Sequence, residues 1–316
     1  EIAIGQRAMK CREAAMAKAW EQGRDQSVME TVERESPWTE VLDYYDSLDT
    51  SSDVDQISIG DMVSYNDTEE NWPVVDGYGA LVARWAADVP VQLNTAATAI
   101  HWGNSGVSVE TQRGTLHAKC AVIAVSTGVL ASGDIRFWPE LPAEKGQAIE
   151  ALPLGNYNRI RLTVDRHLFA DDVPERIVTE QSDNPPMQLS VRPYGFDCVI
   201  GIVAGRYADW LERAGPDAGR EAVTRALCEI FGAKLRNKIG SDRQSAWRGN
   251  AFVRGAYSTS APGQFHQRAI LSQPIQSKLF FCGEATSTDH FCPCHGARMT
   301  GERVAQEIQS AIGVKS

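Results

Sequence analysis

The C-terminal stretch constrains the fold more than any other part of the sequence. An apolar run, Leu279-Phe280-Phe281, ends at Gly283-Glu284-Ala285. A short loop and a glycine-containing turn, His295-Gly296-Ala297, then open a segment that sets Val304, Ala305, Ile308 and Ile312 on one helical face. The pattern predicts a buried strand that delivers the chain to a helix N-terminus. There the unpaired backbone N–H groups and the helix dipole suit an anionic group of a ligand. Glycine at such a turn also serves tight strand–helix packing, so Gly283 alone does not decide between a ligand site and plain architecture.

Upstream, periodicity and turn chemistry give the order of elements. Residues 1–35 are helix-rich, with Ala8, Ala14, Ala15 and Ala19 among charges and no proline before Pro37. Short helices and loops are expected over 38–73, with Asp53, Asp55 and Asp61 exposed, and a helix should follow Gly77-Tyr78-Gly79 to about Ala87. Val91-Gln92-Leu93-Asn94 is expected to begin a strand series. Ile100 and Trp102, the turn Gly103-Asn104-Ser105-Gly106, and alternating Val107 and Val109 continue it. A second turn at Arg113-Gly114 leads to Leu116 and then to the wholly apolar Ala121-Val122-Ile123-Ala124-Val125, a β-meander feeding a buried strand. Residues 160–164 and 199–203 read as strands and 221–231 as an amphipathic helix.

At 316 residues the chain is long enough for about two domains. With 43% hydrophobic and 23% charged residues it reads as soluble and globular, without the ~20 consecutive apolar residues of a membrane span. A net charge of −10 argues against a nucleic-acid partner. Seven cysteines, an odd number, sit mostly in apolar surroundings, and Cys120, Cys198, Cys228 and Cys282 read as small core residues. That usage fits a reducing, cytoplasmic compartment. His290-Phe291-Cys292-Pro293-Cys294-His295 crowds four candidate ligands into six residues, too tightly to surround one tetrahedral ion, so no metal is expected there.

The wording of the chain, most closely over 72–165 and 243–310, resembles the flavin amine oxidases: monoamine and polyamine oxidases, L-amino-acid oxidases and histone lysine demethylases. The resemblance implies a mixed α/β fold. A Rossmann-like FAD-binding part would comprise 74–136 and 251–316. The substrate part would comprise a helical segment, 1–73, and a mixed sheet with helices, 137–250. It implies non-covalent FAD held at Gly283, Glu284 and Ala285 and at the turn of Pro293, Cys294 and Gly296, with the Cys294 N–H approaching the flavin pyrimidine edge. Ala97 matches a backbone contact to the adenine end, and Trp247, in Ala246-Trp247-Arg248-Gly249, a tryptophan packed beside the flavin ring. Tyr257 matches a pocket aromatic, and His290 a place where many relatives carry tyrosine or tryptophan. Arg159 stands where a lysine usually holds a water against the flavin; arginine keeps its charge, so it can position water or a carboxylate but cannot act as a base. The activity implied is oxidation of a small amine or amino acid by hydride transfer from the carbon next to nitrogen, with reoxidation by oxygen to hydrogen peroxide.

The family's G-x-G-x-x-G phosphate turn does not occur in these residues; Gly77-Tyr78-Gly79 is the nearest approach. The expectation is that a second polypeptide carrying that unit completes the FAD site. The alternatives are a non-catalytic scaffold of the same fold, or a flavoenzyme of the related protoporphyrinogen-oxidase or desaturase kind. The stretches Trp247-Arg248-Gly249 and Gly255-Ala256-Tyr257 favour amines.

Overall fold

The computed structural model describes residues 2–68, 70–179 and 185–313. Helices come first: α1 (Ile2–Glu21), α2 (Val28–Thr31), α3 (Thr39–Thr50), α4 (Ile59–Ser64) and α5 (Tyr78–Trp85). Ser27 caps α2 reciprocally. Glu30 N donates to Ser27 Oγ at 3.1 Å, and Ser27 N donates to Glu30 Oε2 at 3.2 Å. Helices α1, α2 and α4 close on a small core of Met16, Ala19, Val28, Val32, Ile57 and Ile59. Asp61, expected on the surface, is 1% exposed within α4, because an arginine from far along the chain neutralises it there.

The meander forms as β1 (Ala97–Gly103), β2 (Gly106–Thr111) and β3 (Gly114–Ala118), all antiparallel. Gly106 shows why its turn needs glycine: φ is 123°, and a Cβ would fall 2.7 Å from the Ala118 carbonyl oxygen. The expected strand at Val91-Gln92-Leu93-Asn94 does not form. Asn94 turns the backbone to φ 53°, no strand among the described residues lies alongside, and Val91 and Leu93 face solvent. Strand β4 (Ala121–Ile123) leaves the meander to pair in parallel with β11 (Leu279–Phe281). It is shorter and barer than its composition suggests: Ile123 is buried but Val122 is 45% exposed, since a two-stranded sheet leaves one face uncovered. Helix α6 (Thr127–Ala131) follows, then β5 (Arg136–Trp138), parallel to β1, and α7 (Ala143–Ala151).

The strands β6 (Tyr157–Val164), β7 (Arg176–Val178), β8 (Gln188–Val191), β9 (Cys198–Ala204) and β10 (Ile239–Gln244) make a sheet of order β10-β6-β9-β8-β7. Each of its pairings is antiparallel, so the mixing of strand directions expected in 137–250 falls instead in the four-stranded sheet β3-β2-β1-β5. Along β6, Asn158, Ile160, Leu162 and Val164 point inward and Arg159 and Arg161 outward, the period of two that a one-sided sheet requires. Helices α8 (Gly205–Ala214) and α9 (Pro216–Phe231) cover the inner face with Leu211, Val223 and Leu227.

The chain ends with α10 (Gln267–Ser272), β11 and α11 (Cys294–Ile312). A third core joins Ile100, Ile123, Ile149, Leu271, Leu279 and Phe281. The buried stripe of α11 is Gly296, Thr300 and Val304, spaced by four. Ala305 and Ile312, expected on the inner face, stay exposed, because the small residues of the first turns make the close contact. Of the four cysteines expected in cores, Cys198 is buried. Cys120, Cys228 and Cys282 are half-buried, Cys120 and Cys282 lying just outside the ends of β4 and β11. No described helix is long and apolar enough to cross a membrane.

Candidate functional site

Strands β4 and β11 run parallel and end together, and α/β folds hold ligands in the crevice beyond such carboxyl ends. A cleft of about 210 Å³ lies there, bordered by Val125, Thr127, Gly283, Glu284, Ala285 and Ala297. Gly283 takes φ 122°, and an added side chain would meet nothing within 4 Å, so its backbone stands bare to the cleft. Its N–H donates to Thr300 Oγ1 at 2.9 Å, tying the strand end to α11. Gly296 is needed for the opposite reason. A Cβ there would sit 1.6 Å from the His290 carbonyl oxygen, because the loop folds directly over the first turn of α11.

The Glu284 carboxylate is committed inside the protein. Its Oε1 accepts from Ser258 N at 3.0 Å, and its Oε2 from Ser258 Oγ at 2.8 Å and Cys292 N at 2.9 Å. Behind it lies Arg268, fully buried, which forks onto Asp61: Nε to Oδ1 at 2.9 Å and Nη2 to Oδ2 at 3.0 Å. Arg268 Nη1 also donates to Ser258 Oγ at 2.8 Å, and the guanidinium lies 4.0 Å from the centre of the Phe291 ring. Ser260 N and Oγ complete Asp61 at 2.6 and 2.8 Å. A bidentate pair with its remaining lone pairs answered is the condition under which two charges can be buried. Cys292, at φ 76°, has its thiol pushed well up by burial and by Glu284; it is a neutral side chain, not a nucleophile.

A larger cavity, about 620 Å³, is lined in part by Phe291 and Cys292, a few residues beyond Glu284. Glu13, Asp46, Asp49, Asp61 and Asp67 line it against a single arginine, Arg12, with Tyr65, Phe291 and Cys292 among its walls. Arg12 Nε donates to Asp46 Oδ2 and Nη2 to Asp43 Oδ1, both at 2.6 Å. Burial pushes Asp46 up to about 6 against the pull of Arg12, and burial together with Asp67 pushes Asp49 to about 6. Above that pH the cavity carries an excess of negative charge that attracts cations. Cys292 lines this cavity while its N–H binds Glu284, which borders the cleft. One segment therefore walls both spaces.

The site residues expected from sequence fall into three places. Gly283, Glu284 and Ala285 border the cleft, with Pro293 preceding α11, Cys294 at its first position and Gly296 packed under His290. Tyr257 and Arg159 gather around Tyr157: the two tyrosine rings are 6.0 Å apart, and the Arg159 guanidinium is 5.7 Å from the Tyr157 ring. Burial raises the Tyr257 phenol far above its usual range, and its hydroxyl donates to Leu48 O. Trp247, 45% exposed on a loop, stands apart, and Ala97 is the first residue of β1. His290 Nδ1 lies 3.0 Å from Asp289, and its ring 5.4 Å from that of His295. Arg159, Trp247, Tyr257 and His290 border neither cavity. Among the described residues no group of three or more His, Cys, Asp or Glu is placed to hold a metal ion. Sequence reading missed the Asp61–Arg268 pair and the acidic cavity, since no local pattern joins residues so far apart. It also missed Thr127, whose Oγ1 has no partner on a residue only 2% exposed.

A family model described as flavin containing amine oxidoreductase matches residues 21–309. The chain is 31% identical over 249 residues to Lysine-specific histone demethylase 1 homolog 1 of Oryza sativa subsp. japonica, covering 74% of this chain and 29% of that protein. It is 29% identical over 241 residues to Polyamine oxidase 2 of Arabidopsis thaliana, covering 76% of this chain and 49% of that one. Among solved structures, cyclohexylamine oxidase from Brevibacterium oxydans IH-35A matches with a TM-score of 0.72 at 18% identity, over 91% of this chain and 68% of that chain. A putrescine oxidase redesigned in its cofactor binding matches at 0.73 and 15% identity, over 90% and 68%. Both share the fold, and the chain spans less than half the length of these two curated relatives.

Proposed function

The chain belongs to the flavin containing amine oxidoreductase family, and on that premise we propose that it carries the amine cavity and much of the flavin site of an FAD-dependent enzyme that oxidises amines. A flavin cofactor, typically FAD, goes with the family. The residues fit one: room for close approach at Gly283, a helix start at Cys294–Ile312 held close by Gly296, and an unpaired hydroxyl at Thr127. Bound there, flavin supplies the acceptor for a hydride from the carbon next to the amine nitrogen. Glu13, Asp46, Asp49 and Asp67 draw a cationic amine into the larger cavity, and Tyr65 and Phe291 give it apolar walls. Asp61, Arg268 and Glu284 hold the 284–292 segment that separates amine from cleft.

The observation that carries this reading is the shared wall: a ligand-sized acidic cavity touching the same segment as the strand-end cleft. The test is spectroscopic. The flavin-loaded protein should absorb near ~450 nm and bleach when a diamine is added without oxygen. Bound flavin that no amine reduces would leave a flavoenzyme of another class, and a protein that takes up no flavin even with the completing segment described below would leave a scaffold.

The exposed apolar surface supports a second polypeptide segment that completes the flavin site. Helix α5 buries no residue, Trp85 and Leu93 are 69% and 72% exposed, and β4 shows Val122 to solvent. Surface of this kind is normally covered. A strand–G-x-G-x-x-G–helix unit beside β4 would cover it and supply the phosphate turn. Such a segment should co-purify with the chain and be needed for flavin retention; tight, stoichiometric FAD binding by this chain alone counts against it.

A further inference from the structure

We propose that the Thr127 hydroxyl is a direct hydrogen-bonding contact for the flavin nucleotide in the strand-end cleft, an inference that rests on the flavin reading above. Thr127 is the first residue of α6, four residues past the end of β4, and it borders the cleft. The residue is 2% exposed, and its Oγ1 has no donor or acceptor among the described residues. A threonine inside a helix commonly satisfies its hydroxyl on the carbonyl four residues back. For Thr127 that carbonyl belongs to Ile123, in β4, and accepts from Cys282 N at 3.1 Å.

The neighbouring polar side chains of the cleft are already spent. Ser126 Oγ donates to Val253 O at 2.6 Å and accepts from Val129 N at 3.2 Å. Thr286 Oγ1 donates to Gly283 O at 2.9 Å, and Glu284 is held by Ser258 and Cys292. Thr127 is thus the hydroxyl of the cleft left to answer a ligand. Burying a hydroxyl without a partner is unfavourable, whereas valine has nearly the same shape and no such penalty. A hydroxyl both donates and accepts, which suits the phosphate oxygens and ribityl hydroxyls of a flavin nucleotide.

The test uses the flavin-loaded protein as purified, stripped of flavin and titrated with FAD while flavin fluorescence is followed. Thr127→Val should raise the FAD Kd about tenfold and leave the melting temperature of the stripped protein equal or higher. Thr127→Ser, which keeps the hydroxyl, should stay within about threefold of wild type. An unchanged Kd in Thr127→Val overturns the inference while leaving the flavin reading intact. Weaker binding together with a lower melting temperature of the stripped protein overturns it too, since the methyl and not the hydroxyl would then be the cause. Wild-type protein that takes up no flavin even together with its co-purifying segment removes the flavin reading itself, and this contact with it.

Discussion

In the five-stranded sheet, Ile160, Leu162 and Val164 of β6 meet Val199 and Val203 of β9 beneath α8 and α9, and none is more than 6% exposed. Around β4 and β11 the picture differs. Val122 stands 45% exposed, and what fixes the neighbourhood is a chain of polar contacts from Asp61 through Arg268 and Ser258 to Glu284 and Cys292. Apolar packing is non-directional, so it holds a sheet together without prescribing where any one backbone group points. Buried hydrogen bonds are directional, and they set the path of the 284–292 segment that walls cleft and cavity. A region that only supports can be built from the first kind of force; one that must place backbone atoms against a ligand uses the second.

The sharpest way to break this contrast is to cut the polar chain. Arg268→Met leaves Asp61 buried without its partner and should cost about 3–5 kcal/mol of stability in urea unfolding. A loss below about 1 kcal/mol would mean the network is ornamental and the two regions are held alike. Matched aliphatic deletions come next. Leu162→Ala should cost about 3 kcal/mol, whereas Val122→Ala in the isolated chain should stay within about 0.5 kcal/mol. Equal costs would show that β4 is packed as tightly as β6.

Gly296→Val drives a side chain into the His290 carbonyl and should weaken FAD retention at least about tenfold, ~1.4 kcal/mol, read as flavin per protein after gel filtration. Normal flavin content would remove the first turn of α11 from the site. The smallest effect concerns pH. Asp49 is raised to about 6 from the usual 3.8, so the folded state holds an extra proton between those values. Its contribution to stability therefore falls as pH rises through that window, and above about 6 the charged carboxylate is a penalty that a bound cation relieves. A diamine should raise the melting temperature by on the order of one to two degrees more at about pH 7.5 than at about pH 5. The same increment at both pH values would place the amine elsewhere.

What could be read from the residues divides along the same line. Gly106, Gly283 and Gly296 were legible because each answers a local demand of turn or close approach. Residues 160–164 were legible as a strand, and it is the structure that shows its alternation, with one face closed and Arg159 outside. Val91 and Leu93 misled because apolar residues read as strand whether or not a neighbouring strand is present to pair with them. Asp61 misled more deeply. An aspartate reads as solvated by its charge even beside Ile59, Met62 and Val63, and the arginine that makes it a core residue carries no mark of that role in its own surroundings.

Asp61 and Arg268 are 207 positions apart. At about 5–20 residues per second, translation leaves Asp61 waiting on the order of ten to forty seconds for its counterpart. Through that interval the carboxylate that α4 must finally bury has nothing to neutralise it, so the early helices cannot settle on their own account. Helices α1 to α4 are made before the segment that carries Arg268, yet lock only once it has arrived. Ribosome-stalled chains ending before residue 268 should accordingly leave α1 to α4 open to protease, while chains released after residue 300 protect them; early protection would show that the helices close without the arginine.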